Sequence, residues 1–161
     1  MTKAEILQQK GHNFLWIDNS LWMWDIPEEK KAQKEIADKA YGEVLVAGYG
    51  LGLSQSYLVL NQQVKSILTI EKYPEVIEEC ERIYGKVYGK VLIGDFFDYE
   101  IREKFDCVIG DVWKDIASES LEDYKRFKNK AVALLKPGGK ILDWGQDFFE
   151  YLLKNEQTTI D

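Results

Sequence analysis

The chain is short of cysteine, proline, histidine and positive charge, and each shortage excludes something. Three prolines among 161 residues rule out a proline-rich scaffold. Two cysteines, Cys80 and Cys107, make no disulfide framework. Both stand among apolar residues, where cysteine acts as a small hydrophobe. One histidine, His12, and no Cys/His cluster exclude a zinc site of the usual ligand types, so no metal is expected. No apolar run approaches the ~20 residues of a membrane span, and no membrane partner is expected. The first residues, Met1-Thr2-Lys3-Ala4-Glu5, carry no signal-peptide apolar segment, which fits a cytoplasmic protein. Lys and Arg number 21 against 28 Asp and Glu, a net charge of −7. Such a surface repels phosphate backbones unless it holds a local basic patch. The densest basic stretch, Lys125 to Lys130, adjoins Glu119, Glu122 and Asp123 and reads as a solvated face. The expected partner is therefore a small molecule and not nucleic acid.

What the chain does have is apolar and aromatic. Hydrophobic residues make up 45% and aromatics 13%, enough for a real core in one domain spanning 1–161. Residues 1–42 read as a helix, a hairpin and a second helix. The first helix covers about 2–10 and stops at Gly11. Phe14-Leu15-Trp16-Ile17 and Leu21-Trp22-Met23-Trp24 flank an Asp18-Asn19-Ser20 turn, a hairpin pattern. Strict alternation places Trp22 and Trp24 on one face and Leu21 and Met23 on the other. Both faces are apolar, so the hairpin is either a lid over a site or a homodimer contact. Pro27 then opens a helix whose Ala32, Ile36 and Ala40 recur every fourth residue.

From 43 to 154 strands alternate with helices. Val44 to Ala47 is a continuous apolar run, the mark of a strand buried on both faces. Further strands are expected at Val64–Ile70, Val91–Ile93, Phe105–Ile109 and Lys140–Trp144. Helices are expected at 54–61, from Tyr73-Pro74, from a capping box at Ser120-Leu121-Glu122-Asp123, and over 147–154. Lys136-Pro137-Gly138-Gly139 is expected to end the long helix. The alternation predicts an α/β fold with a Rossmann-like, doubly wound, mainly parallel sheet.

The sharpest signal is Ala47-Gly48-Tyr49-Gly50-Leu51-Gly52, between the first buried strand and a helix. Glycines there admit positive φ and let a ligand lie against the backbone. The alternative is a tight turn with no ligand. The dinucleotide fingerprint needs its third glycine at position 53, which is Leu53. The G-x-G-x-G spacing instead resembles the first motif of class I S-adenosylmethionine-dependent methyltransferases and the related spermidine synthases. Glu71 at the end of the second strand, Gly94-Asp95 after the third, Phe105-Asp106-Cys107-Val108-Ile109-Gly110-Asp111 and Leu134-Leu135-Lys136-Pro137-Gly138-Gly139 resemble the family's later motifs in order.

The resemblance implies a cofactor, S-adenosylmethionine or its decarboxylated form, held by Gly48, Tyr49, Gly50, Gly52, Glu71, Lys72, Gly94, Asp95, Phe96 and Asp111. It gives Glu71 both ribose hydroxyls, and a carboxylate suits a cis-diol on chemical grounds. It gives Asp95 the adenine amino group, an Asx turn being the alternative. Phe96 either lines the adenine slot or belongs to the core. Tyr49 either touches the methionine part or fills its loop. Asp111 ends the fourth strand, facing the reacting end of the cofactor. It is the expected catalytic residue, orienting an amine or taking its proton, with helix capping as the alternative. Asp111 and Trp113 are the expected acceptor-binding pair, the indole attracting the sulfonium.

A hairpin ahead of the Rossmann unit, and Asp111-Val112-Trp113, are similar to the spermidine synthase-like branch. The family fold ordinarily adds a sixth and a seventh strand, and the 17 residues after Trp144 predict a shortened C-terminus. The expected function is methyl transfer to a small, amine-bearing molecule. Aminopropyl transfer and a non-catalytic cofactor-binding subunit are the alternatives.

Overall fold

The computed structural model describes residues 2–110, 118–143 and 145–159. Two sheets lie among the described residues. The first is antiparallel and built from β1 (Ala4–Gln9), β2 (His12–Ile17) and β3 (Ser20–Trp24), in that order. The second is parallel and built from β4 (Gly42–Ala47), β5 (Val64–Glu71), β6 (Lys90–Ile93), β7 (Phe105–Gly110) and β8 (Leu135–Asp143). Its order is β6-β5-β4-β7-β8, and every adjacent pair is parallel. The helices are α1 (Pro27–Asp38), α2 (Leu53–Leu58), α3 (Pro74–Tyr84), α4 (Leu121–Ala133) and α5 (Gln146–Thr159). The chain thus has the expected doubly wound Rossmann-like architecture. The order of the sheet reverses at β4, so the crevice at the switch point opens at the carboxyl ends of β4 and β7.

Residues 2–10 are not a helix but hold the strand β1. The run Ala-Glu-Ile-Leu-Gln-Gln is rich in helix formers, yet its pattern also alternates, and Ala4 and Ile6 are buried while Glu5 and Leu7 are not. Pairing with β2 from Ala4↔Ile17 to Gln9↔His12 overrides propensity. Lys10 and Gly11, both at positive φ (51° and 79°), make a two-residue turn where a helix stop is expected. Asp18 and Asn19 make the next turn in the same way, at φ 47° and 67°.

The hairpin does not alternate strictly. The register shifts between Leu15 and Trp16, so Leu15 faces Met23 but Trp16 faces Leu21. Trp22 and Met23 consequently both pack inward, against Ala4, Ile6, Leu15, Ile17, Tyr49, Leu51 and Val76. Trp24 is left outside, edge-on to Phe14 at 6.5 Å.

Two further cores cover the faces of the parallel sheet. On one face lie Ala37, Ala40, Val44, Val46, Leu58, Ile109 and Leu142. On the other, Leu45, Ala47, Ile70 and Val108 meet Phe96, Tyr124, Phe127 and Phe149 from the helices and loops. The buried stripe of α1 runs through Gln33 and Ala37, one position along from the expected Ala32 and Ile36. The expected cap at Ser120 makes no side-chain hydrogen bond, because the turn Ser118–Ser120 already continues helically into α4. β8 begins at Leu135, five residues before the expected start. Lys136-Pro137-Gly138-Gly139 form an irregularity within it, between the pairs Phe105↔Leu135 and Cys107↔Lys140. No helix among the described residues is long and apolar enough to cross a membrane.

Candidate functional site

The carboxyl ends of β4, β5 and β6 bring Gly48–Gly52, Glu71, Lys72 and Gly94–Asp95 together. The ends of the strands are tied by backbone bonds: Gly48 N–H donates to Ile70 O and Gly94 N–H to Glu71 O, both at 2.9 Å. Gly48, Gly50 and Gly52 all take positive φ (94°, 57° and 72°), the left-handed conformation that requires glycine here.

The glycine loop is held from within. Tyr49 N–H donates to Glu71 Oε1 at 2.9 Å, and Gly52 N–H to Tyr49 O at 2.8 Å. Leu51 N–H points at Met23 Sδ, 3.3 Å away on β3. The buried Cys80 thiol donates to Gly50 O at 3.2 Å, and burial pushes that thiol up to about 12. Gln55 Nε2 reaches Gly48 O at 3.3 Å and Thr69 Oγ1 at 3.1 Å. Beside it Ser54 donates to Gln33 of α1. A Cβ on Gly50 would lie 2.6 Å from Met23 Sδ, and one on Gly52 would lie 2.6 Å from the Tyr49 ring. The chain itself therefore fills the space beside both glycines.

Glu71 is 6% exposed and accepts a second amide, Tyr73 N–H, on Oε2 at 2.8 Å. Burial pushes its carboxyl up, and backbone amides of Tyr73, Tyr49, Gly50 and Lys72 oppose the shift. Two carboxylate oxygens offer about four lone-pair sites; the Tyr49 and Tyr73 amides take two, and the Gly50 and Lys72 amides also favour the charged form.

The remaining expected residues divide. Lys72 is mostly exposed, and its ammonium stands 3.8 Å from Asp95 Oδ2. Asp95 Oδ1 accepts Phe97 N–H at 2.9 Å, the Asx-turn geometry, while Oδ2 faces outward to Lys72. Tyr49 is buried, and its hydroxyl accepts Tyr88 N–H at 3.1 Å. Burial pushes that phenol up to about 12. Phe96 is buried against Phe127, ring centroids 5.6 Å apart. Both rings are thus committed to packing within the fold. Asp111 and Trp113 lie outside the described residues.

Sequence reasoning missed three side chains. Met23 and Gln55 hold the glycine loop from elsewhere in the fold, and no local pattern signals either contact. Asp143, at the end of β8, is also 6% exposed, yet neither of its oxygens has a hydrogen-bond partner. A signal for it exists in the sequence: a carboxylate ending the apolar run Ile141-Leu142. Burial pushes it up to about 8, and the charge of Glu150 adds to that. The Gly110 amide, the Tyr124 hydroxyl and Lys128 oppose the shift. Among the described residues, no group of three or more His, Cys, Asp or Glu is placed to hold a metal.

No protein-family model and no curated protein matches the sequence. Solved structures share its fold. An S-adenosylmethionine-dependent methyltransferase from Clostridium acetobutylicum aligns with TM-score 0.53 and 18% identity, covering 74% of this chain and 50% of its own. Spermidine synthase from Thermotoga maritima aligns with TM-score 0.60 and 16% identity, covering 84% and 51%. A SAM-bound amino pentose methyltransferase from Micromonospora echinaspora aligns with TM-score 0.50 and 17% identity, covering 73% and 50%. The chain spans about half the length of these proteins. Its fold is that of the class I methyltransferases and spermidine synthases.

Proposed function

We propose that this chain binds S-adenosylmethionine and directs its methyl group to a small, amine-bearing acceptor. The observation that carries the reading is Glu71. It is a buried carboxylate at the end of β5, fixed by Tyr49 and Tyr73 amides beside the glycine loop. A ribose cis-diol presents two hydroxyl donors, for which a carboxylate at this strand end is a chemical match. Asp95, one strand over with Oδ2 beside the Lys72 ammonium, is proposed to accept from an exocyclic amine of a base. When bound, the cofactor supplies an electrophilic sulfonium methyl. The protein's own part is alignment: the loop bonds to Glu71, Met23 and Gln55 hold the site in place before a ligand arrives. Asp111, next after Gly110 of β7, is proposed to face the acceptor and take its proton.

The test is calorimetry with S-adenosylmethionine, its demethylated product and the decarboxylated form. Binding of the first two, weakened about ten- to hundredfold in Glu71→Ala, is the expected result. Absence of binding by all three overturns the reading. Asp111→Asn should lower turnover by about 10²–10⁴-fold at unchanged cofactor affinity, as expected for loss of a general base.

One observation favours a second reading. The alignment with the spermidine synthase takes in 84% of this chain, against 74% for the first methyltransferase. Preference for the decarboxylated ligand would assign aminopropyl transfer instead.

A further inference from the structure

Asp143 stands on the opposite side of β4 from Glu71. Its Cα is the partner of Gly110 at the end of β7, the residue before Asp111. Two strand spacings separate β8 from the glycine-bearing β4, about 10 Å. Glu71 and Asp95 lie on the β5–β6 side, so a ligand seated there has its far side toward β7 and β8.

Two donors that act on Asp143 are engaged with Glu150. From α4, the Tyr124 hydroxyl donates to Glu150 Oε1 of α5 at 2.7 Å. Lys128 of α4 donates to the same oxygen at 2.5 Å. Tyr124 is fully buried and stacks on Phe149, ring centroids 4.7 Å apart. Lys128, the cation that acts on Asp143, is thus already bound to Glu150, and neither Asp143 oxygen has a partner within hydrogen-bond distance. A buried carboxylate in that state is satisfied by gaining a proton or by gaining a cation that brings its own N–H donors.

We infer that Asp143 is the binding group for the cationic amine of the acceptor, received at the carboxyl ends of β7 and β8. This rests on the proposed function and adds to it a second carboxylate for the cationic acceptor, besides the one proposed at Asp111. An alkylammonium offers three N–H donors to the two oxygens, whereas a hydroxyl acceptor brings no charge to offset the burial. A divalent metal ion is the wrong occupant, since no second and third ligand are placed around it among the described residues.

The experiment follows the Asp143 carboxyl carbon by NMR in the full chain across pH 5 to 10. The probes are n-propylamine and, as the uncharged match, 1-propanol. Without amine the carboxyl should titrate near 8. Saturating propylamine should move that midpoint down by at least one pH unit, and propanol should not move it. Asp143→Asn should bind propylamine at least tenfold more weakly. A midpoint that ignores the amine overturns the inference, as does equal amine affinity in the variant. The wild-type measurement needs no variant to fold. Calorimetry with the demethylated cofactor product on the same sample separates the two readings. If that product binds and the carboxyl ignores amine, only the Asp143 assignment falls. If amine shifts the carboxyl and no adenosyl ligand binds, the ammonium site stands and the methyl-donor reading falls.

Discussion

Two strands of one sheet end in carboxylates of equal burial and opposite circumstance. Glu71 and Asp143 are each 6% exposed. Glu71 ends β5 beside a loop of glycines whose backbone folds back on it, and each oxygen accepts an amide. Asp143 ends β8 beside helices, where neighbouring donors have bound Glu150 instead. The difference lies in the kind of structure packed around each strand end. A glycine-rich turn can point N–H groups at a side chain, while a helix face offers mainly side chains, which choose among partners. One carboxylate is therefore part of the scaffold and the other is held in reserve.

The largest effect that separates them is a pH dependence. The Asp143 carboxyl lies far above its ordinary value of about 3.9. A group raised in this way contributes stability that is complete at low pH and lost as pH rises through about 8. Over pH 5 to 8 the loss is up to about 4 kcal/mol, at about 1.4 kcal/mol per unit. Asp143→Asn removes the ionisation, so its melting temperature should gain on wild type as pH rises and stop gaining above about pH 8. A constant difference between the two proteins across that range would make Asp143 a satisfied group.

Next comes Glu71→Ala. It strands the Tyr49 and Tyr73 amides, and roughly 2–4 kcal/mol should be lost in urea unfolding. Gly50→Ala is third, at about 1–3 kcal/mol, because a Cβ meets Met23 Sδ and φ stays positive. Adding Met23→Ala should restore part of that loss, a non-additivity visible in a double-mutant cycle. Lys72→Ala is the smallest: its exposed pairing with Asp95 should contribute under about 0.5 kcal/mol to stability.

Local features of the parallel sheet are legible in the sequence. Val44 to Ala47 is apolar because β4 is covered on both faces, and the glycines after it take the positive φ that their spacing implies. Glu71 and Asp95 stand out as acids at strand ends, and the topology sets them side by side. What fails depends on distant partners. The segment Ala4–Gln9 satisfies both a helical and an alternating reading, and only β2 decides between them. The inward turn of Trp22 comes from a register shift invisible in β3 alone. Ser120 has the right neighbours for a cap but enters α4 already in helical conformation, at φ −89° and ψ 0°. The need for glycine at position 50 is legible, but its cause, a methionine 27 residues earlier in the chain, is not.

The seat of Met23 on the glycine loop also makes the molecule its own optical gauge. Its thioether lies against Gly50 and the Leu51 amide, while the strand that carries it also carries Trp22 and Trp24. A displacement of the loop presses on β3 through that sulfur and changes the surroundings of two indoles. Tryptophan emission should therefore respond to a ligand that touches neither ring, and Met23→Ala should silence the response while binding continues.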